Sequence, residues 1–210
     1  MIALPARLEV TEGVSLWPGA LDVTAQKALL AEISAKLEAA PFYRPTMPKS
    51  GKAFSVDETN LGTLGWVSDT RGYRYEMRHP ITGKPWPAIP EMLLDLWQAT
   101  TQYRAAPECC LVNLYRGTAR MGLHQDRDEQ ALDAPVLSVS LGDDALFRIG
   151  GTIRKGATRS LKVTSGDVLM FGGPARLAFH GIDRVLTGTS QLIPGGGRIN
   201  LTLRRVRNPK

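Results

Sequence analysis

Two of the three histidines and one aspartate carry the clearest chemical signal in this sequence. His124 stands two residues before Asp126 in MGLHQDRDE, and on a β-strand that spacing turns both side chains to one face. His180 follows an apolar run in RLAFHGI, from where it could approach across a barrel. Two imidazoles and a carboxylate on one side of a metal leave positions open for Fe(II) and oxygen chemistry, although an H-x-D pair alone also arises by chance. His79 precedes Pro80, and we expect it to be solvated or to cap a turn.

The last expected strand offers groups that could bind an anion. Alternation in RINLTLR places polar side chains on one face: Arg198, Asn200, Thr202 and Arg204. Two guanidinium groups on one face can hold a dicarboxylate, because the planar fork matches carboxylate geometry. Asn113 and Tyr115, in CLVNLYRG, also share a face and offer an amide and a phenol. The alternative, a polar outer face of an edge strand, remains open at this point.

The chain that positions these residues divides into a helical first half and a strand-rich second half. Helical spacing over residues 24–40 predicts a first helix with Thr24 as its N-cap. Residues 90–103 repeat the pattern, with Pro90 suited to a first turn. The segment between them is rich in Gly, Pro and aromatic residues and is expected to be functional or to carry short hairpins. After Ala106, short segments punctuated by glycine predict an antiparallel sandwich or barrel, so the fold class is α+β.

Composition narrows the functional classes. The 210 residues are 43% apolar and 22% charged with a net charge of +6, which is typical of one globular domain and compatible with a polyanionic partner. No apolar run reaches the length of a membrane span and no secretory signal is visible, so we expect a cytoplasmic protein, with a monomer as the default. The adjacent Cys109 and Cys110 form no disulfide framework. Hydrolase and phosphate-loop motifs are absent from the sequence.

Six short motifs occur in a fixed order along the chain: NxY, LHQDxDE, SVSLG, SGDVLMFGG, FHGI and RINLTLR. In this order they resemble the AlkB family of Fe(II)- and 2-oxoglutarate-dependent dioxygenases, which repair alkylated nucleic acids. The resemblance extends from about Trp66 to Arg204 and is densest toward the C-terminus. It implies a double-stranded β-helix, or jelly-roll barrel, with helices packed on one side. Residues 1–210 would form one dioxygenase domain, with a substrate-recognition segment at about 42–90 and a jelly-roll core at about 107–206.

The resemblance also implies the metal and co-substrate residues. His124, Asp126 and His180 match the family's iron ligands and would be the catalytic centre. Arg198 matches the arginine that pairs with the distal carboxylate of 2-oxoglutarate, and O2 is the second co-substrate. The remaining matches lie near the co-substrate: Asn113, Tyr115, Asn200 and Arg204.

Substrate contacts are implied in the same way. Trp66 matches an aromatic residue that stacks on the base, and Tyr73 and Tyr75 match a segment that touches the nucleotide backbone. Asp128 matches an acidic residue at the base edge, and Arg154 matches a contact to the substrate strand. The alternatives are that the aromatic residues pack in the core and that the charged residues lie in solvated turns.

One segment departs from the expected pattern. PKSGKAFSVDETNLG, which precedes Trp66, is more charged than a lid over an apolar base pocket should be, with Asp57 and Glu58 adjacent. This leaves open which lesions are accepted and whether DNA or RNA is preferred. It does not affect the iron and keto-acid residues.

The leading hypothesis is oxidative dealkylation of N-alkylated nucleobases in DNA, single-stranded or with a flipped base. 2-Oxoglutarate would be decarboxylated to succinate and the alkyl group released as formaldehyde. A second hypothesis keeps the chemistry and changes the target to RNA, protein or a small molecule. A third is a non-catalytic jelly-roll binding module, because this fold also serves lectins and capsid proteins.

Overall fold

The strands form two antiparallel sheets and a separate hairpin in the computed structural model, which describes residues 4–209. The strands of the first half are β1 (Leu8–Thr11), β2 (Val14–Trp17), β3 (Asp57–Gly62), β4 (Gly65–Asp69) and β5 (Gly72–Glu76). Those of the second half are β6 (Cys109–Tyr115), β7 (Met121–His124), β8 (Val136–Gly142), β9 (Asp144–Gly150), β10 (Thr158–Val163), β11 (Val168–Phe171), β12 (His180–Leu186) and β13 (Arg198–Arg204). The seven-stranded sheet has the order β1-β2-β11-β8-β13-β6-β3 and the four-stranded sheet the order β10-β9-β12-β7, while β4 pairs only with β5.

A shared apolar core joins the two sheets. It combines residues of the smaller sheet, such as Phe147 and Ile182, with Leu169 and Phe171 of the larger one. Alternating residues of each strand enter this core, which is how two sheets packed face to face bury one side each. The predicted α+β class with a two-sheet barrel is confirmed, and the larger sheet also takes in β1, β2 and β3 from the first half of the chain.

Two helices cover the outer face of the larger sheet. They are α1 (Val23–Lys36) and α2 (Glu91–Thr101), and their buried leucines share one core with Leu201 and Leu203 of β13. Since neighbouring residues of a strand point to opposite sides, the polar residues of β13 face the barrel interior. β13 lies between β8 and β6, so the edge-strand alternative is wrong.

The start of α1 differs from the sequence prediction. Asp22, not Thr24, is the N-cap, and its carboxylate accepts a hydrogen bond of 2.8 Å from the backbone N–H of Ala25. Both residue types are good caps, so the sequence alone could not choose between them. Pro90 is the N-cap residue of α2.

The segment between the helices contains short strands, as expected. β3 extends the larger sheet, and an isolated bridge between Tyr43 and Glu58 extends it one step further. β4 and β5 form the separate hairpin that carries Trp66. Within residues 4–209, none of the helices combines the length and the apolar character needed to cross a membrane.

Candidate metal and co-substrate site

The barrel brings His124, Asp126 and His180 together. His124 ends β7 and His180 begins β12, and the two residues are direct partners across these neighbouring strands. A Cβ at Gly181 would lie 2.5 Å from the carbonyl oxygen of Met121, so the close approach of the strands requires glycine there. The histidines therefore meet side by side rather than across the barrel. Asp126 lies beyond the end of β7 and not on the strand.

The donor atoms of these three residues converge. One donor atom from each lies within 4.8 Å of the others, with Asp126 Oδ1 3.6 Å from His124 Nε2 and Asp126 Oδ2 3.9 Å from His180 Nε2. Each Nδ1 lies 2.9 Å from a backbone carbonyl, that of Gly122 for His124 and that of Ala178 for His180. A carbonyl can only accept, so Nδ1 carries the proton and the Nε2 lone pair is free to bind a metal.

The protonation states also suit a metal. Burial, together with the neighbouring His124, lowers the pKa of His180 to about 4, so its imidazole is neutral at pH 7. Burial alone would raise the pKa of Asp126, but Arg204 and His180 outweigh it and hold the pKa of this carboxyl well below its usual range. Two imidazoles and one carboxylate form the donor set that suits Fe(II).

A buried ionic network fixes Asp126. Arg204 donates from Nε to Asp126 Oδ2 at 3.0 Å. Arg176 donates to the backbone carbonyl of Asp126 and, at 3.0 Å, to Glu129 Oε2. Tyr75 donates its hydroxyl to the other oxygen of Glu129. Glu129 could have been chosen as the last residue of LHQDxDE, whereas nothing in the sequence around Arg176 marks it.

Replacing Arg176 with Met should destabilise the fold. Arg176 is 3% exposed, and the loss of its guanidinium leaves Glu129 and two backbone carbonyls without a donor they now use. We expect the free energy of unfolding to fall by about 3 kcal/mol, measured by urea denaturation. Arg154→Met, at an exposed position, is the control and should change it by less than about 0.5 kcal/mol. Equal stability of the two variants would contradict a structural role for Arg176.

The expected co-substrate residues of β6 and β13 lie on the interior side of the larger sheet. Arg198 is 1% exposed, and its Nη2 donates to Ser140 Oγ at 3.1 Å while Nε and Nη1 have no partner among the described residues. Its guanidinium lies 5.9 Å from the ring centroid of Tyr115, and Asn113 Oδ1 is likewise buried without a partner within residues 4–209. Burial lowers the pKa of Arg198 to about 10, so it remains charged at pH 7. An unpaired buried guanidinium fits an anionic ligand.

Both polar atoms of the Asn200 side-chain amide form hydrogen bonds with other side chains of the protein. Its Nδ2 donates to Ser138 Oγ at 2.7 Å, and its Oδ1 accepts from Thr202 Oγ1 at 2.9 Å. Ser138 and Ser140 belong to the SVSLG motif, but sequence reasoning assigned no role to either serine.

Three of the expected substrate residues form one cluster. The ring of Trp66 stacks on that of Tyr73, with centroids 5.4 Å apart and an interplanar angle of 20°. The indole Nε1 donates to Asp128 Oδ2 at 2.8 Å. Tyr73 is 51% exposed, so core packing does not account for it. Tyr75 points instead to Glu129.

Two further expectations concern Arg154 and His79. Arg154 is exposed between β9 and β10, with its guanidinium 5.6 Å from the ring centroid of Phe179, the residue before His180. His79 is 1% exposed, and its Nδ1 accepts from the backbone N–H groups of Ile81 and Thr82. It therefore caps a turn, as one alternative held, but is not solvated.

Comparisons with known proteins agree with this geometry. The model of the 2OG-Fe(II) oxygenase superfamily matches residues 13–204. The chain is 60% identical over 209 residues to an alpha-ketoglutarate-dependent dioxygenase AlkB homolog of Caulobacter vibrioides (strain NA1000 / CB15N), covering 99% of this chain and 93% of that protein. It is 38% identical over 185 residues to the alpha-ketoglutarate-dependent dioxygenase AlkB of Escherichia coli (strain K12), covering 86% and 85%. The solved structure of OsALKBH1 superimposes with a TM-score of 0.83 at 28% identity, covering 95% of this chain and 100% of that one.

Proposed function

The chain belongs to the AlkB family within the 2OG-Fe(II) oxygenase superfamily, and from this premise we propose that it dealkylates N-alkylated nucleobases in DNA. As a member it is a dioxygenase that uses Fe(II), 2-oxoglutarate and O2. Hydroxylation of an N-methyl group gives a hemiaminal that releases formaldehyde and restores the base. The co-substrate is converted to succinate and CO2 in the same turnover.

The observation that carries the proposal is the convergence of the His124, Asp126 and His180 donor atoms within 4.8 Å. These three side chains would hold the iron, which supplies the oxidising chemistry when bound. Arg198 would bind the distal carboxylate of 2-oxoglutarate, because its guanidinium is buried and two of its nitrogens have no partner in the described part of the chain. Arg204 holds the Asp126 carboxylate in place.

Nucleic acids are the substrates of this family, and the aromatic cluster beside the site suits them. Trp66 and Tyr73 present a stacked and partly exposed aromatic surface, and Asp128 fixes the indole by its hydrogen bond. A base inside a duplex cannot reach buried ligands, so the substrate is single-stranded DNA or a flipped base. Asp128 would lie at the edge of the base, and Arg154 would contact the same strand, whereas Tyr75 is held by Glu129.

A coupled assay tests the function. Protein with Fe(II), 2-oxoglutarate and methylated single-stranded DNA should release one formaldehyde per succinate, with methylated duplex DNA and methylated RNA as parallel arms. Unmodified DNA should yield none. If succinate forms but no methylated nucleic acid yields formaldehyde, the substrate is a protein or a small molecule and the proposal is wrong.

Replacing Trp66 with Leu should weaken substrate binding selectively. Stacking of a base on an aromatic ring contributes about 1–3 kcal/mol, so we expect KM for methylated single-stranded DNA to rise about 10-fold. Succinate formed without DNA should not change, because Trp66 is not a co-substrate residue. Trp66→Phe keeps a stacking surface and should retain most of the affinity. A Phe variant as impaired as the Leu variant would contradict stacking.

A further inference from the structure

Asp57 and Glu58, the adjacent acidic residues in the segment before Trp66, have different environments. Asp57 forms a bidentate pair with Arg44 on the outside, with oxygen to nitrogen distances of 2.8 and 3.0 Å. Glu58 points to the opposite side of β3, is 0% exposed, and neither of its carboxylate oxygens has a hydrogen-bond partner within residues 4–209. A buried carboxyl group without a partner is costly to the fold, so its presence calls for an explanation.

Strand register places Glu58 in a row of polar side chains that includes the co-substrate residues. Direct cross-strand pairs join Ser140 to Asn200, Asn200 to Asn113, Asn113 to Glu58, and Glu58 to Tyr43. Directly opposite residues share a face of a sheet, so all five side chains lie on one face. Glu58 is therefore a lateral neighbour of Asn113 on the interior side of the larger sheet.

The same strand connects Glu58 to the aromatic cluster. Asn60 lies two residues further along β3 and shares the face of Glu58. Its side-chain amide accepts from the backbone N–H of Trp66 at 3.0 Å and donates to the backbone carbonyl of Trp66 at 2.9 Å. One face of β3 thus carries both Glu58, the neighbour of the co-substrate residue Asn113, and Asn60, which holds the strand of Trp66.

Glu58 differs from the two acidic residues of the ionic network around the metal ligands. Asp126 is paired with Arg204, and Glu129 is paired with Arg176. Glu58 has no such cation within ion-pair distance among the described residues. Among the described residues, an ionised Glu58 would therefore have no cation to pair with unless a ligand supplied one.

Burial keeps the Glu58 carboxyl protonated in the free protein. The pKa of Glu58 is raised to about 8, mainly by burial. Arg204 on β13 partly offsets this rise, and Asp57 adds to it. The other titratable groups that interact with Glu58 are Tyr43, on the bridge, and Tyr115 on β6, both raised in pKa by burial and by Glu58. Cys109 of β6 lies along the same face and has a raised pKa because of burial. At pH 7 these groups are neutral, which leaves Arg204 as the charged neighbour on the other strands of the larger sheet.

We propose that Glu58 is a specificity-determining residue whose carboxylate is the counter-charge for alkylated bases that carry a positive charge on the ring. N1-methyladenine and N3-methylcytosine are such bases, whereas N3-methylthymine is neutral. When a cationic base enters, the Glu58 proton passes to solvent and the carboxylate pairs with the base. This inference depends on the proposed function, since it concerns the base that the enzyme dealkylates.

Glu58→Gln tests the proposal, because the amide has the same shape and cannot ionise. A hydrogen bond to a charged group contributes about 1.5–3 kcal/mol, so we expect kcat/KM for N3-methylcytosine in single-stranded DNA to fall about 30-fold. That for N3-methylthymine should change less than about 3-fold, and KM for 2-oxoglutarate should stay at the wild-type value. Asp57→Asn, the same chemical change on the outer side of the strand, is the matched control and should leave the ratio between the two bases unchanged.

Binding without turnover gives a second readout. With Fe(II) and 2-oxoglutarate bound and O2 excluded, wild-type affinity for N3-methylcytosine DNA should rise about 10-fold between pH 6 and 7, because binding releases the Glu58 proton. The Glu58→Gln variant should lack this rise.

Three outcomes would overturn the inference while leaving the function intact: equal losses on both bases, a raised KM for 2-oxoglutarate with unchanged discrimination, or no change at all. Failure of the proposed function is a different result, in which the wild type itself releases no formaldehyde from either base.

Discussion

Replacing His124 with Ala is expected to reduce succinate formation by more than about 100-fold and to leave the apo protein folded. Removing a metal ligand should cost at least as much as removing the residue that orients one, which is about 10- to 100-fold. The side chain of His124 is 40% exposed, so it can be truncated without opening a core cavity. Iron content after anaerobic loading, turnover, and the melting temperature of the apo protein measure the three effects.

His79→Ala is the control for this prediction. His79 caps a buried turn and lies outside the metal cluster, so its loss should lower the melting temperature and leave the iron content intact. Unchanged iron affinity in His124→Ala would instead contradict the role of His124 as a metal ligand.

Replacing Arg198 with Met is expected to raise KM for 2-oxoglutarate by about 10- to 100-fold, because charge-assisted hydrogen bonds contribute about 1.5–3 kcal/mol. The apo protein should be at least as stable as the wild type, since the variant no longer buries a guanidinium with two nitrogens that lack a partner within residues 4–209. 2-Oxoglutarate should raise the melting temperature of the wild type and not that of the variant.

Arg198→Lys separates charge from geometry at this position. The ammonium group keeps the charge but loses the planar fork, so its KM should lie between those of the wild type and the Met variant. A Met variant that binds 2-oxoglutarate normally would show that the co-substrate lies elsewhere.

The sequence predicted which residues form the metal cluster but not how the fold brings them together. The spacing of His124 and Asp126 alone was weak evidence, and the resemblance of the ordered motifs to the AlkB family selected the three residues. The pairing of β7 with β12, and the glycine that permits it, depend on contacts between distant segments, which local spacing does not reveal.

Supporting residues were harder to predict for a physical reason. Arg176 acts through contacts with residues 42 to 50 positions away, so no local pattern reports it. His79 was assigned to a turn correctly, but its burial arises from packing against Trp86 and Tyr43. The charge of Asp57 and Glu58 was visible, yet only the strand register shows which of them faces inward.

The most direct test of the central claim is an anomalous-scattering map at the iron edge, from crystals grown without O2 in the presence of Fe(II) and 2-oxoglutarate. We predict one iron peak within bonding distance of His124 Nε2, His180 Nε2 and a carboxylate oxygen of Asp126, with the distal carboxylate of 2-oxoglutarate on Arg198. An iron peak away from these three side chains, or no peak between them in iron-loaded crystals, would contradict the account.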